Sequence, residues 1–272
     1  MGDLGSFEER AFPPSRFTTI DWVAAGQRKH HVPVILDLDV TDARERIRRI
    51  RERTGEGISF TGWMVRCLGQ AVAEHRYVQA MRRGHHLVTF ADVDVTVTVE
   101  RSIGEGSETV PMPYVVRRAN AKTTGEIHSE IRAAQSQRLS PGEMLLGTRT
   151  NSLPFRLFCA LPAYLRYLVV YRRLLVDPFF AKRTMGTVVV TSLGASSRGT
   201  GGAWFIPIGL HPLQVALGAI VKKPGVVDDR IKVREYLTLT VLFDHDVTDG
   251  APVARFVQRL KELVESAYGL SE

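Results

Sequence analysis

Leu237-Thr238-Leu239-Thr240-Val241-Leu242-Phe243 runs directly into Asp244-His245-Asp246-Val247-Thr248-Asp249-Gly250, and the reading of the fold starts there. The first seven residues are aliphatic, β-branched or aromatic, the composition of a strand. The next seven place one imidazole among three carboxylates at the strand's end. Beyond Gly250, Val253, Phe256, Leu260, Leu263 and Val264 recur at helical spacing, which predicts a closing helix over 251–267. A polar cluster between a strand and a helix is a frequent place for a site. A lone histidine there is still more often structural than catalytic.

Working back from this stretch, Ile231–Val233 and Tyr236–Phe243 read as the two arms of a hairpin, and 225–229 carries turn chemistry. Leu213–Val221 and Gly186–Leu193 read as strands, the second leading into the glycine-rich Gly194–Gly202. Toward the N-terminus, Val32–Val40 is β-rich. Thr41 is placed to cap a helix that ends near Gly55 and Gly57. Residues 59–75 carry Trp63, Val65, Leu68 and Val72 at helical spacing. Leu87–Thr89, Val93–Val99 and Val110–Arg117 read as strands, and Thr123–Arg138 as an amphipathic helix. Helices and strands alternate without a regular βαβ repeat, which predicts an α+β domain with a mixed sheet. Residues 1–17 read as an arm, and 18–272 as one domain.

The 272 residues are 44% hydrophobic and 24% charged, a globular rather than disordered composition. The net charge of +7 is dispersed among acids and apolar residues, as in Arg44–Arg51, so it reads as solvated surface rather than a nucleic-acid site. Cys67 and Cys159 stand far apart, outside any metal-ligand or redox spacing, which suits a reducing cytoplasm. The adjacent pairs His30-His31 and His85-His86 point apart on strands, so no metal site is expected. No apolar run reaches the roughly 18 residues that suggest a membrane span.

H-x-x-x-D-G at His245–Gly250 resembles the signature of the chloramphenicol acetyltransferase-like superfamily. The surrounding text resembles one branch of it, the catalytic domain of 2-oxoacid dehydrogenase acyltransferases. The segments that carry this are VPVILDLDVT, SFTGWMVRCLGQAVAEH, VPMPYVVRRANAKTTGEI, MGTVVVTSLG, PIGLHPLQVALGAIVKKPGVVDD and TLTVLFDHDVTDGAPVARFVQRLKELVES. They keep that family's order over residues 18–135 and 184–268. The resemblance implies a two-layer domain with helices packed on a mixed sheet. It implies acyl transfer to or from coenzyme A, with His245 as general base and Thr191 donating to the oxyanion. Asp249 would orient the active-site loop, and Gly250 would admit a tight turn. Ser192, Ser196, Ser197 and Arg198 would contact substrate, with a flexible surface loop as the alternative reading of Gly194–Gly202. It also implies a homotrimer in which His245 of one chain meets Thr191 of its neighbour. Lys222-Lys223 is either a coenzyme A phosphate contact or a solvated turn.

Three departures stand out. The chain starts almost at the catalytic domain, so neither a lipoyl nor a subunit-binding domain is expected in it. Asp246 follows the histidine where the resembled branch usually has Arg, and an anion beside the base tends to raise its pKa. An insertion at about 140–183 contains LPFRLFCALPAYLRYLVVYRRLLVDPFFAKR, apolar but broken by Arg156, Arg166, Arg172 and Arg173. It reads either as a helical hairpin packed on the core or between subunits with solvated arginines, or as a face for an anionic membrane surface or a greasy acyl chain. Two other functions stay open: a biosynthetic, condensation-type acyltransferase with an amine or alcohol acceptor, and a non-catalytic, membrane-associated trimeric binding module.

Overall fold

The computed structural model describes residues 5–13, 15–55, 57–102, 109–137, 143–144, 148–149, 153–192 and 202–270. Its strands are β1 (His31–Asp39), β2 (Met81–Arg83), β3 (His86–Val88), β4 (Val95–Ser102), β5 (Thr109–Val116), β6 (Glu143–Met144), β7 (Thr148–Arg149), β8 (Val188–Ser192), β9 (Leu213–Val227) and β10 (Arg230–Asp244). The helices are α1 (Ser15–Gly26), α2 (Thr41–Thr54), α3 (Phe60–Glu74), α4 (Thr124–Ser136), α5 (Leu153–Ala160), α6 (Ala163–Arg166), α7 (Arg172–Val176), α8 (Pro178–Met185) and α9 (Gly250–Glu265). A π-helical stretch, Tyr167–Tyr171, joins α6 to α7.

The main sheet has the order β1-β10-β9-β8-β4-β5. It is mixed: β8 runs parallel to both β4 and β9, and the other pairings are antiparallel. Alternate residues of the strands face one core. These are Val95, Val97 and Val99, then Val188 and Val190, then Leu213, Val215 and Leu217, then Leu237, Leu239, Val241 and Phe243. They meet Trp63, Met64, Leu68 and Val72 of α3, Ile127 and Ile131 of α4, and Val253, Phe256, Leu260 and Leu263 of α9. The period of two in the strands and the helical spacing in α3 and α9 therefore describe two sides of the same layer. The indole N–H of Trp63 donates to the carbonyl of Tyr268 at 2.8 Å, so the largest core side chain is also satisfied.

Three local expectations are corrected. Ile231–Val233 and Tyr236–Phe243 are not two arms but parts of one strand, β10, paired with β9 through Arg230↔Val227. The turn is Asp228-Asp229, both at positive φ (52° and 57°), the conformation a two-residue type I′ connection requires. Thr41 does not cap α2. Its hydroxyl donates to Asp39 and accepts the N–H of Glu235, knitting α2 to β10. The arginines of the insertion are not all solvated, since Arg166 is buried.

The insertion helices build a second, smaller core with the N-terminal helix. Tyr171, Leu174, Ala181 and Met185 pack with Ala25 of α1, Met81 and Leu210. Arg28 donates to the hydroxyl of Tyr167 at 2.9 Å, and the hydroxyl of Tyr171 donates to the carbonyl of Thr18 at 3.1 Å. Among the described residues, no helix is long and apolar enough to cross a membrane.

Candidate active site

The segment after β10 is a turn in which five consecutive amides have partners. The N–H of Asp244 donates to Pro212 at 2.9 Å, and that of His245 to the carbonyl of His30 at 3.0 Å. The N–H of Asp246 donates to the side chain of Asp244 at 3.2 Å. Those of Val247 and Thr248 both donate to the carbonyl of Asp244 at 3.2 Å. Thr248 adds a side-chain bond to the carbonyl of Tyr77 at 2.9 Å. A loop with its backbone donors committed in this way has its main-chain path fixed. The His245 imidazole is exposed and lies 5.6 Å from the ring of Phe243, the last strand residue facing the core.

Charge around this turn comes from the segment leading into β1. Asp244, 2% exposed, is paired with the Lys29 ammonium at 2.5 Å. Asp246, expected to act on His245, is bonded instead to the imidazole of His30 at 2.8 Å. That bond raises the His30 pKa above its ordinary 6.5. Behind them, His31 bonds the carbonyl of His211 at 2.9 Å and His211 bonds the carbonyl of Met185 at 2.7 Å. Burial lowers both: His31 falls below its ordinary value and His211 to about 4. Both are therefore neutral near pH 7. Nothing in the local sequence tied Lys29, His30, His31 or His211 to the motif, because the register His31↔Asp244 is what brings the Lys29–His31 segment beside it.

Thr191 is partly buried near the end of β8, and Ser192 is exposed beside it. Thr191 is level with Ala216 of β9, which is level with Thr240 of β10. His245 lies five residues further along β10 and two strands across. At about 3.3 Å per residue and 4.8 Å per strand, the two are roughly 15–20 Å apart. One chain thus keeps its histidine and its threonine at different ends of the sheet. Asp249 is exposed at the N-terminus of α9, and its carboxylate makes no capping bond. Gly250 does not answer to the tight turn expected of it: its φ is not positive, and an added Cβ would meet nothing within 4 Å. Ser196, Ser197 and Arg198 lie outside the described residues. Lys223 is committed to Asp37 at 2.6 Å and lies over Trp204, while Lys222 is exposed. Among the described residues, no three His, Cys, Asp or Glu side chains are grouped to hold a metal ion.

A probable dihydrolipoamide acetyltransferase from Listeria monocytogenes 4b F2365 superposes with a TM-score of 0.67, covering 96% of each chain at 17% identity. This chain has the acyltransferase catalytic-core fold. The cubic core of a pyruvate dehydrogenase multienzyme complex gives a TM-score of 0.65 over 96% of this chain and 93% of that one, at 17% identity. The expected α+β class, with helices on a mixed sheet, is thereby met. Residues 181–271 match the family of 2-oxoacid dehydrogenases acyltransferase (catalytic domain). That stretch holds β8, β9, the motif turn and α9.

In sequence, the pyruvate dehydrogenase acetyltransferase component of Acholeplasma laidlawii is 35% identical over 85 residues, which are 30% of this chain and 15% of that protein. The branched-chain lipoamide acyltransferase component of Bacillus subtilis (strain 168) is 24% identical over 245 residues, 87% of this chain. The chain spans 47% of the length of that relative.

Proposed function

We propose that this protein transfers an acyl group between coenzyme A, or a lipoyl or carrier thiol, and an acceptor, with His245 as general base. The observation that carries this reading is the turn, hydrogen-bonded through the amides of residues 244–248, that presents the exposed His245 at the end of β10. A thiol has an ordinary pKa near 8.5, so a nearby base raises the reactive fraction at neutral pH. His245 removes the S–H proton as sulfur attacks the thioester carbonyl. The tetrahedral oxyanion accepts a hydrogen bond from Thr191. Collapse breaks the original C–S bond, and His245 returns the proton to the departing thiolate.

Both residues serve one reaction only when a second copy of the chain supplies the Thr191 end, because a single chain separates them. A homotrimer with sites between subunits meets that need. Its architecture agrees with the core of the pyruvate dehydrogenase multienzyme complex that this chain resembles. In the solved Azotobacter vinelandii dihydrolipoamide acetyltransferase, roles in catalysis were studied for a serine, a histidine and an asparagine four positions after that histidine. Asp249 holds the corresponding spacing from His245, which supports keeping it among the site residues.

Turnover of acyl-coenzyme A thioesters of graded chain length tests the reading, with dihydrolipoamide, amines and alcohols offered as acceptors. Product is expected from the wild type and not from His245→Ala. Equal product from both would sink the assignment.

A further inference from the structure

The turn that carries His245 is held from one side by two consecutive residues, Lys29 and His30. Three contacts join this dipeptide to three consecutive residues of the turn. Lys29 Nζ pairs with Asp244 Oδ2 at 2.5 Å. The carbonyl of His30 accepts the N–H of His245 at 3.0 Å. The imidazole Nδ1 of His30 bonds Asp246 Oδ1 at 2.8 Å. Asp244 is the hub, because its second carboxylate oxygen accepts the N–H of Asp246 and so bridges across His245. Lys29 is only 16% exposed and Asp244 2%, so this ion pair is shielded, whereas His30 and Asp246 are 77% and 44% exposed. Removing the cation would leave a buried carboxylate without a counter-charge. The cheapest relief is for Asp244 to rotate toward water, releasing the amide of Asp246.

We infer that Lys29 is a positioning residue for the general base, acting through Asp244, with His30 as its exposed auxiliary. The inference rests on the reading of His245 as the base. It also accounts for Asp246: where the resembled family usually has a cation, this chain has an anion that bonds the imidazole of His30. Positioning errors near 1 Å cost on the order of 100-fold in rate, so a loosened turn affects the chemical step more than substrate binding.

Lys29→Met, Lys29→Arg and His30→Asn are compared with the wild type and His245→Ala. Two readouts are taken: steady-state acyl transfer, and amide hydrogen exchange of the 244–248 segment by mass spectrometry. Lys29→Met is expected to lower kcat about 10- to 100-fold with KM within about twofold, and to speed exchange in the turn. Lys29→Arg recovers most of the loss, and His30→Asn shows a smaller one. Should Lys29→Met fold poorly, the double variant Lys29→Met/Asp244→Asn removes the stranded charge and should still show both effects. Unchanged exchange together with unchanged kcat in Lys29→Met overturns the inference. Faster exchange in a protein whose wild type turns over no thioester upholds the clamp and rejects acyl transfer instead.

Discussion

Arg166 grips Asp21 with two parallel bonds, Nε to Oδ2 at 2.6 Å and Nη2 to Oδ1 at 3.0 Å, and both side chains are under a tenth exposed. The remaining guanidinium nitrogen donates to the carbonyls of Leu161 and Cys159 at 2.5 and 3.3 Å. A buried ion pair survives when its geometry is bidentate and its other donors are used, and both conditions hold here. The insertion is thereby tied to α1 by a charge that local sequence reads as a surface residue. Arg166→Met strands the Asp21 carboxylate and is expected to cost about 3–5 kcal/mol. Asp21→Leu/Arg166→Met should regain most of that. Urea unfolding of the two single variants and the double variant measures the coupling, and additive losses would show that the pair is not linked.

The separation of His245 from Thr191 within one chain predicts complementation. His245→Ala and Thr191→Val proteins, each nearly inactive alone, are unfolded together and reassembled. About one quarter of the sites should then hold both native groups if each site spans two subunits. Thr191→Val by itself is expected to lower kcat about 10²–10³-fold, the usual loss for one oxyanion donor. A mixture no more active than its components would show that the two residues do not share a site across an interface.

Acid should destabilise the fold through its buried imidazoles. His211 has its pKa lowered by burial to about 4, and His31 is lowered for the same main reason. Between about pH 6.5 and 4 the unfolded chain binds protons that the folded chain refuses, so stability falls as pH falls. For His211 the loss is on the order of 3 kcal/mol by pH 4. His30 runs the other way: its raised pKa makes the Asp246 contact fully present below about 6.5 and lost as pH climbs through the raised value. Thermal melts from pH 4 to 8 on the wild type and on His211→Gln test the larger effect. The variant should show a flatter acid limb.

Gly186 is where the insertion re-enters the sheet. Its φ is +71°, and a Cβ there would sit 2.7 Å from the carbonyl oxygen of Asp94, a backbone atom that cannot swing aside. Thr187 and Val188 both donate to that same carbonyl, which fixes the crossing of β8 beside β4. Gly186→Ala is expected to destabilise by about 1–3 kcal/mol, seen as a lower Tm. An unchanged Tm would mean that the crossing relaxes freely.

Much of the fold was readable along the chain because its signals are local. The alternation in Val95–Val99, the helical spacing of Trp63 to Val72 and the apolar stripe from Val253 to Val264 each need only a few neighbouring residues to declare a strand or a helix. The motif turn was legible for a similar reason: a strand, a polar cluster and a helix follow one another without a break. The long β10 was misread as two arms because Arg234-Glu235 resembles a polar break. In the sheet those residues find Asp39 and Asp42, and the arginines of α2, as partners.

The sequence by itself determined the α+β layering, the place of β10 and α9, and His245 as the residue to test. Tertiary structure alone decided that Asp246 turns to His30 rather than to His245, that Arg166 is buried against Asp21, and that Thr191 lies out of reach of His245 in the same chain. The reason is physical: periodicity reports which face of an element is apolar. The partner of a charge is set by strand register or by the packing of one helix on another, which join segments distant in sequence and leave no trace in either segment alone.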